Sequence, residues 1–393
     1  MLTIDRLLST KLIEMAGFYP VVTLIGPRQS GKTTLVMEAF PDKEYVSLED
    51  IDNREFAKSD PREFLGKYPN GAIIDEVQHV PELLSYIQTI VDKDHPNGKY
   101  ILTGSHQLSL HASVSQSLAG RTAIMTLLPL SLQELTASNI KFDSIYDYIY
   151  KGFYPKLYKN QNLNPTNYYG DYLDTYVSKD VRQMINVKDL SLFISFIRLC
   201  ASRAGQVFVS SNVANELGIT HHTVNSWLSI LEASYIVYRL QPYFESFGKR
   251  IIKSPKLYFR DVGFLAYLLE VKKAEHISVH PLKGALMENL IVNEISKGFF
   301  NRANKESMYY YRDNNRNEVD VILKNGHQFI PVEIKASSTF RMEFLKQLKY
   351  YDKITDNRCV GGYLVYTGQQ EQKIDKFNVI NFLNTDVIPK DWS

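Results

Sequence analysis

Four residues near the N-terminus have the types and spacing that bind a polyphosphate. The segment Leu24–Leu35 matches the pattern G-x-x-x-x-G-K-[ST], whose defining residues are Gly26, Gly31, Lys32 and Thr33. Glycines let backbone N–H groups approach phosphate oxygens, the lysine reaches the β- and γ-phosphates, and the threonine hydroxyl can ligate Mg²⁺. The pattern predicts a site for a nucleoside triphosphate and its magnesium ion. The alternative is a glycine-rich turn with a surface lysine.

The segments on either side of this pattern supply the elements that such a site needs. The apolar run Val21–Ile25 predicts a buried strand, and Lys32–Phe40 predicts a helix, so the glycines fall in the turn between them. The unpaired N–H groups of the first helical turn would then point at the phosphates. The predicted cofactor-binding residues of this turn are Gly26, Pro27, Arg28, Gln29, Ser30, Gly31, Lys32, Thr33 and Thr34.

A pair of acidic residues follows a second apolar run, Gly71–Ile74. In a nucleotide hydrolase, Asp75 would hold the metal ion through water, and Glu76 would polarise the attacking water as a general base. The alternative is that the two carboxylates cap the following turn. Together with the phosphate-binding pattern, the pair predicts hydrolysis of the nucleotide.

Two further positions are candidates for contact with the γ-phosphate. A polar group just after the predicted strand Tyr100–Thr103 could sense this phosphate, and Ser105 or Thr103 could serve; an ordinary turn is the alternative. Arg121 leads into the apolar segment Thr122–Leu127 and is a candidate arginine finger, acting in its own site or in that of a neighbouring subunit. A surface arginine at the start of a strand is the equal alternative.

Length and composition describe an ordinary globular protein. The 393 residues are enough for about two or three domains, and the chain is 44% hydrophobic and 22% charged. A net charge of +2 means that any basic surface for nucleic acid must be local. The spacing of Cys200 and Cys359 matches no metal-ligand pattern, so both are predicted to be free thiols. A charged, helical N-terminus and the lack of a long apolar run predict a cytoplasmic protein without membrane contact.

The first part of the chain alternates strand and helix signals. This alternation predicts a parallel sheet covered by helices, which is the α/β class. The predicted strands are Pro20–Ile25, Tyr45–Leu48, Ala72–Asp75, Tyr100–Thr103 and Thr122–Leu127. A helical, tyrosine-rich region extends from Ser131 to about Ala201.

The next region has the pattern of a helix-turn-helix. Ser211–Leu217 predicts a short helix, and His221–Tyr235 a second one with Thr220 as its N-cap. Tyr235–Tyr243 and Lys256–Phe259 are candidate wing strands. If the module binds nucleic acid, the contacting residues are His222, Asn225 and Ser226, with Lys249, Arg250 and Lys253 on phosphates. Few basic residues lie on the second helix, which slightly favours a packing role instead.

The last region places acidic residues and a lysine on predicted strands. A helix, Ala285–Lys297, precedes strand-like segments at Met308–Arg312, Glu318–Leu323 and Phe329–Lys335. Because side chains alternate along a strand, Glu318 shares a face with Asp320, and Glu333 shares a face with Lys335. If the strands are neighbours, Asp320 and Glu333 could hold Mg²⁺ while Lys335 orients or deprotonates water for phosphodiester cleavage. The alternative is a surface Glu–Lys ion pair.

The motifs GPRQSGKTT, AIIDE, LTGSH and SLAGR, in this order, resemble the AAA-type ATPases of bacteria and archaea. More narrowly, the chain resembles a large prokaryotic group whose C-terminal half is known only as a domain of unknown function, with similarity through GFYPKLY, KLYFRDVG and EVDVIL…VEIKAS. The resemblance implies an AAA-type P-loop ATPase domain with a helical lid at 1–200, a winged helix-turn-helix at 201–275, and a nuclease-like domain at 280–393. ATP as the nucleotide is also implied by this resemblance.

The C-terminal arrangement of an acid, a short hairpin and E-x-K resembles the PD-(D/E)XK nuclease superfamily, a restriction-endonuclease-like α/β fold. Glu288 matches the additional metal-side glutamate of that superfamily. We therefore predict an ATP- and Mg²⁺-dependent ATPase that acts on DNA, with a homo-oligomer as a further expected assembly. The rival prediction is a regulatory or assembly protein that uses ATP as a switch and carries an inert C-terminal scaffold.

Overall fold

The structure is a computed structural model that describes residues 4–94, 97–105, 117–177, 190–245, 252–388 and 390. The α-helices in these ranges are α1 (Leu8–Phe18), α2 (Lys32–Ala39), α3 (Ile51–Ser59), α4 (Pro61–Gly66), α5 (Leu83–Asp94), α6 (Leu132–Ala137), α7 (Ile145–Lys151), α8 (Pro155–Lys159), α9 (Pro165–Tyr172), α10 (Leu190–Ala201), α11 (Ser210–Leu217), α12 (His221–Ala233), α13 (Val262–Leu268), α14 (Ala274–Ser278), α15 (Lys283–Phe300) and α16 (Lys346–Ile354). The strands are β1 (Val21–Ile25), β2 (Glu44–Ser47), β3 (Ala72–Asp75), β4 (Tyr100–Gly104), β5 (Thr122–Thr126), β6 (Val237–Leu240), β7 (Lys256–Phe259), β8 (Met308–Arg312), β9 (Glu318–Asn325), β10 (Gln328–Lys335), β11 (Gly362–Tyr366), β12 (Gln372–Ile374) and β13 (Phe377–Asn381). The predicted phosphate contacts Lys249 and Arg250 lie outside the described residues.

The N-terminal sheet is parallel, with the strand order β2-β3-β4-β1-β5. The predicted strands of this region are confirmed, each to within a residue or so at its ends. The apolar runs form strands that are buried on both faces, as parallel sheets covered by helices require. Because Ile25 pairs with Gly104, and Asp75 ends the neighbouring β3, the loops that carry the candidate nucleotide-binding residues leave the same edge of the sheet.

The middle region contains the two predicted helices and a two-stranded antiparallel sheet. The Thr220 side chain accepts a hydrogen bond from the Thr223 backbone N–H, which confirms the predicted N-cap of α12. The residues predicted to form the buried face of α12 are buried; they are Val224, Trp227, Leu228 and Leu231. β6 pairs with β7 where wing strands were predicted, although β6 is shorter than the predicted segment. The winged-helix assignment itself stays a prediction.

The C-terminal sheet is mixed, with the strand order β12-β13-β11-β10-β9-β8. β8, β9 and β10 form the antiparallel meander whose strands the sequence predicts, and β10, β11 and β13 are parallel neighbours. Val332 of β10 pairs with Val321 of β9, so the acidic residues of the two strands lie close together. The middle region meets this sheet at its edge, where the Tyr243 N–H donates to the Tyr310 carbonyl of β8 (2.8 Å).

Buried polar contacts join the N-terminal region to α15. The Leu132 N–H donates to Glu294 Oε2 (2.7 Å), and Lys297 Nζ donates to the Leu130 carbonyl (2.7 Å). Lys297 and Glu294 also form an ion pair with each other (2.6 Å). Since these groups are buried and mutually satisfied, they fix the segment after β5 against the C-terminal helix.

Two composition-based expectations concern cysteines and membrane spans. Cys200 and Cys359 are both free and buried, with Cys200 inside the apolar helix α10. Among the described residues, no helix combines the length and the apolar character needed to cross a bilayer.

Candidate nucleotide site and C-terminal carboxylate cluster

Two glycines give the loop between β1 and α2 its course. Gly26 has φ 151° and passes so close to the residue after β5 that a Cβ atom would lie 2.2 Å from the Leu127 carbonyl oxygen. Gly31 has φ 93° and caps the N-terminus of α2 in the left-handed region. Glycine is needed at both positions because a side chain would clash or strain the backbone. The loop therefore presents its backbone, not side chains, at the start of α2.

Lys32 is buried beside this loop. Its Nζ atom donates hydrogen bonds to the carbonyl oxygens of Gly26 (3.0 Å) and Pro27 (2.9 Å). Burial lowers the pKa of Lys32, although the nearby carboxylates of Glu76 and Asp75 act in the opposite direction. The ammonium group thus has neutral hydrogen-bond partners and no direct ion pair among the described residues, so it is suited to receive an anion.

The predicted magnesium ligands, Thr33 and Asp75, are in direct contact. Thr33 Oγ1 donates to Asp75 Oδ2 (2.9 Å), across the gap between α2 and β3. Asp75 also accepts hydrogen bonds from the hydroxyl groups of Thr103 and Tyr45, the latter at 2.8 Å. Oxygen ligands held in this way fit the hard Mg²⁺ ion of a bound nucleotide. Tyr45, on the neighbouring β2, carries no sequence signal for this role.

Glu76 lies directly after Asp75 with φ 54°. Its carboxylate accepts hydrogen bonds from Ser105 Oγ (3.0 Å) and from the Gln78 side-chain amide, while its backbone N–H donates to Thr103 Oγ1 (3.2 Å). Burial raises the pKa of Glu76, but the Lys32 charge and these hydrogen bonds outweigh burial and leave the pKa below its ordinary value. Glu76 is therefore an ionised, oriented carboxylate. Both γ-phosphate sensor candidates, Ser105 and Thr103, contact this acidic pair.

Arg6, in the N-terminal segment, contacts and stabilises the phosphate-binding loop. The sequence alone did not predict this contact. Its Nη1 donates to the Ser30 carbonyl (2.7 Å) and its Nη2 to the Leu128 carbonyl (2.6 Å). Its Nε pairs with Glu134 Oε1 (3.0 Å) at the start of α6. The sequence contains no local motif for this arginine, because its partners are distant along the chain.

The remaining loop residues contact the surrounding elements. Gln29 Oε1 accepts a hydrogen bond from the Tyr168 hydroxyl of α9 (2.7 Å), and Arg28 Nη1 lies 3.5 Å from Glu49 Oε1. The buried Ser30 hydroxyl has no hydrogen-bond partner among the described residues. An unpaired hydroxyl at this position fits a site whose ligand supplies further hydrogen-bond acceptors.

A cleft opens beside the first turn of α2, on the side where Thr34 lies. Its volume is only about 30 Å³, and its walls come from the N-terminal segment, α2, the segment after β5 and α8. The residues lining it are Ile4, Arg6, Gly31, Thr34, Leu35, Glu38, Leu130, Pro155 and Lys159. The cleft is continuous with the phosphate-binding loop through Gly31.

Arg121 is placed away from the nucleotide site of its own chain. It precedes β5 at the edge of the sheet where β1 begins, and its carbonyl accepts a hydrogen bond from the Val21 N–H (3.2 Å). The phosphate-binding loop leaves the opposite edge, about 13 Å along the strand. The side chain pairs with Asp92 at 2.5 and 2.9 Å. An arginine finger acting within the same chain is therefore excluded by this geometry, and action in a neighbouring subunit stays a prediction.

The predicted C-terminal residues come together on β9 and β10. Asp320 Oδ2 accepts a hydrogen bond from the Ile334 N–H (2.9 Å), and Lys335 forms an ion pair with Glu333 Oε1. Burial raises the pKa of Asp320, and the adjacent Glu333 raises it further. Burial also raises the pKa of Glu333, to about 7, against the lowering effect of Lys335. Its second oxygen, Oε2, is buried without a partner among the described residues.

A lysine from the middle region completes this site. Lys256 Nζ lies 2.9 Å from Glu288 Oε1, 2.5 Å from Glu318 Oε1 and 3.9 Å from Asp320 Oδ1, and its side chain is 1% exposed. We call Glu288, Glu318, Asp320 and Glu333 the carboxylate cluster. Sequence analysis placed Lys256 in a wing strand and missed this contact.

The fit of a metal ion to the carboxylate cluster is incomplete. Within the described ranges, no group of three or more His, Cys, Asp or Glu side chains is placed to hold one. The unpaired Glu333 oxygen favours a cation, whereas the Lys256 ammonium group already lies among the other carboxylates. The metal-ligand roles of Glu288, Asp320 and Glu333 stay predictions.

The helix-turn-helix residues proposed to face nucleic acid are only partly accessible. His222 and Asn225 on α12 and Lys253 before β7 are exposed, and Ser226 is half-buried. Their surface carries little positive charge among the described residues, so nucleic-acid binding there stays a prediction.

Comparison with known proteins divides the chain into three matched regions. Residues 19–136 match the family model "AAA domain", residues 142–275 match "Domain of unknown function (DUF8612)", and residues 283–385 match "Domain of unknown function (DUF4143)". The first match supports an AAA-type ATPase domain, and therefore nucleotide binding, in the region that contains the loop from Gly26 to Thr33. No function is attached to the other two descriptions.

Among curated proteins, two of the relatives come from Mycobacterium bovis and Mycobacterium tuberculosis, and both are described as uncharacterized. Each is 28% identical over 324 residues, which cover 81% of this chain and 71% of the relative. Among solved structures, a Walker-type ATPase of Pyrococcus abyssi overlaps with a TM-score of 0.46 at 16% identity, covering 68% of this chain and 96% of that one. AMPPCP-bound DnaA from Aquifex aeolicus overlaps with a TM-score of 0.30 at 14% identity, covering 57% and 85%.

Proposed function

We propose that this protein binds ATP with Mg²⁺ at the loop between β1 and α2 and hydrolyses it. The observation that carries the proposal is the direct 2.9 Å contact of Thr33 with Asp75, which brings the two predicted magnesium-side oxygens together beside Lys32 and Glu76. Bound Mg²⁺ would neutralise charge on the β- and γ-phosphates. The backbone amides at the start of α2 would bind the phosphate oxygens.

In the proposed hydrolysis, Lys32 and Glu76 have different roles. Lys32 exchanges its hydrogen bonds with the Gly26 and Pro27 carbonyls for bonds to the β- and γ-phosphates. Glu76, held by Ser105 and ionised, accepts a proton as water attacks the γ-phosphorus.

A threonine variant tests this proposal. Thr33→Val keeps the shape of the side chain but removes the hydroxyl group. We expect phosphate release from ATP at millimolar Mg²⁺ to fall at least about tenfold, since a hydrogen bond to a charged group contributes about 1.5–3 kcal/mol. Thr89→Val, an exposed threonine on α5, is the matched control. If wild-type protein shows neither calorimetric binding of ATP nor phosphate release, the proposal is refuted.

We further propose that the ATPase acts on nucleic acid, with DNA as the substrate. The supporting observations are the exposed His222, Asn225 and Lys253 of the helix-turn-helix region and the convergence of Asp320, Glu333 and Lys335. This proposal is tested with single-stranded, duplex and branched DNA. Binding and Mg²⁺-dependent cleavage of each form are compared between wild type and Lys335→Ala. Cleavage that the variant loses favours a nuclease.

One observation favours the rival function, in which ATP switches a regulatory or assembly protein and the C-terminal domain is a scaffold. Lys256 forms buried ion pairs with Glu288 and Glu318, as a residue that stabilises the fold would do. The same DNA experiment separates the two functions. Wild-type protein that hydrolyses ATP but neither binds nor cleaves any of the three DNA forms would support the scaffold.

A further inference from the structure

The carboxylate cluster contains a cation that belongs to the protein itself. We propose that the Lys256 ammonium group is the resident cation of this cluster, and that a divalent metal ion binds there only in competition with it. The inference rests on the proposed cation-binding character of the cluster and is independent of ATP hydrolysis. According to this inference, a lysine of the middle region limits metal binding at a site in the C-terminal domain.

The position of Lys256 is determined by the backbone. The residue begins β7, where it pairs with Leu240 of β6 and forms a bridge with Val207. Two residues further along the same face, the Tyr258 hydroxyl donates to Glu288 Oε1 (2.5 Å). The backbone of Lys256 is therefore fixed by its strand pairing, and its side chain extends from this position into the cluster.

Three carboxylates surround the Lys256 ammonium group. Its Nζ atom lies 2.9 Å from Glu288, 2.5 Å from Glu318 and 3.9 Å from Asp320, and the side chain is buried. These distances place a positive charge inside the cluster, and the same carboxylates raise the pKa of Lys256 against the lowering effect of burial. A divalent ion that approached Asp320 or Glu288 would meet this charge at close range and in a poorly solvated environment.

The cluster still has capacity for a cation on the side of β10. Glu333 is buried, its Oε1 is paired with Lys335, and its Oε2 has no partner among the described residues. A metal ion bound to this oxygen would also require Asp320, which lies 3.9 Å from Lys256 Nζ. Glu333 therefore favours metal binding, whereas Lys256 opposes it, and the wild-type affinity is expected to be weak.

Titration with Mn²⁺ alone, without nucleotide, tests this competition. All variants carry Asp75→Ala so that the N-terminal site adds no signal, and free Mn²⁺ is followed by electron paramagnetic resonance. We expect Lys256→Met to bind Mn²⁺ at least tenfold more tightly than the parent, and Lys256→Arg, which keeps the charge, to resemble the parent. Adding Glu333→Gln to Lys256→Met should remove the gain. Lys376→Met is the matched control, because Lys376 pairs with Asp352 (2.7 Å) outside the cluster.

Equal Mn²⁺ affinity of the parent and Lys256→Met would overturn the inference, as would a gain that survives Glu333→Gln. Removing one partner of a buried ion pair can destabilise a protein, so Lys256→Gln, which retains a hydrogen-bond donor, is measured in parallel. Melting curves with and without Mn²⁺ provide a second readout. ATP binding is measured separately in Lys256→Met with Asp75 intact, so a failure of the ATPase proposal is distinguishable from a failure here.

Discussion

The nucleotide site and the carboxylate cluster each contain a buried lysine, but the two lysines have different partners. Lys32 donates to the neutral backbone carbonyls of Gly26 and Pro27, and burial lowers its pKa. Lys256 lies among carboxylates, which raise its pKa despite burial. The first site thus keeps an ammonium group available for an anionic ligand, whereas the ammonium group of the second is already paired with carboxylates of the protein.

This difference shows that acidic and basic residues in the same place do not define a ligand site by themselves. The net charge left after internal pairing decides which ligand is attracted. At the N-terminal site the Lys32 ammonium group donates only to neutral carbonyls and is available to a triphosphate. At the carboxylate cluster the surplus that remains is the unpaired oxygen of Glu333, which favours a small cation.

The largest effects are expected at the nucleotide site, and the first of them follows from removing the Lys32 charge. Lys32→Ala should reduce ATP turnover at least about 100-fold, since a charge aimed at the transferred phosphoryl group is removed from a buried site. Lys43→Ala is the matched control: Lys43 also donates to a backbone carbonyl, that of Lys99 (3.2 Å), and lies away from the loop. Phosphate-release assays compare the two. Equal turnover in Lys32→Ala and wild type would contradict the comparison.

The second effect concerns the base in the same site. Glu76→Gln should lower turnover by about 10²- to 10⁴-fold, the usual contribution of a general base, while ATP affinity measured by calorimetry stays within a fewfold. The amide can keep the hydrogen bonds with Ser105 and Gln78 but cannot accept the proton from water. Loss of ATP binding together with turnover would instead assign Glu76 to ligand binding.

The third prediction concerns pH and the carboxylate cluster. The pKa of Glu333 is about 7 in the folded protein, above its ordinary value of 4.5. The folded state therefore holds the Glu333 proton more tightly than the unfolded state does. This preference stabilises the protein fully at low pH, and the stabilisation is lost as pH rises from about 4.5 to 7. Glu333→Gln cannot ionise, so its stability relative to wild type should increase between about pH 4.5 and 7, by on the order of 1–3 kcal/mol. Thermal melts in EDTA at several pH values measure the difference. Parallel pH profiles of variant and wild type would show that Glu333 titrates normally.

The smallest effect is expected at Arg121. Because its ion pair with Asp92 is partly exposed and distant from its own nucleotide loop, Arg121→Ala should change turnover less than about twofold in a monomer. Turnover is measured over a range of protein concentrations. A large decrease that appears only at concentrations where wild type self-associates would support an arginine finger acting across a subunit boundary.

Much of the secondary structure was predictable because its signals are local. The Thr220 N-cap, the apolar spacing along α12 and the alternation in Glu318–Leu323 each depend on residues a few positions apart. The strand-to-helix turn of the nucleotide site was predictable for the same reason, since Gly26 and Gly31 are required by the backbone conformation. The contacts of Arg6 and Lys256 were not, because their partners are distant along the chain.

Residue types and short-range spacing were sufficient to predict the glycine-containing turn between β1 and α2, the acidic residues at the end of β3 and the strands that carry Asp320 and Glu333. The fold was needed to show that Arg6 holds the loop, that Arg121 lies at the far edge of the sheet, and that Lys256 enters the carboxylate cluster. The physical reason is that periodicity and turn chemistry act over a few residues. Charge compensation in a buried site depends on which distant segments the packed core brings together.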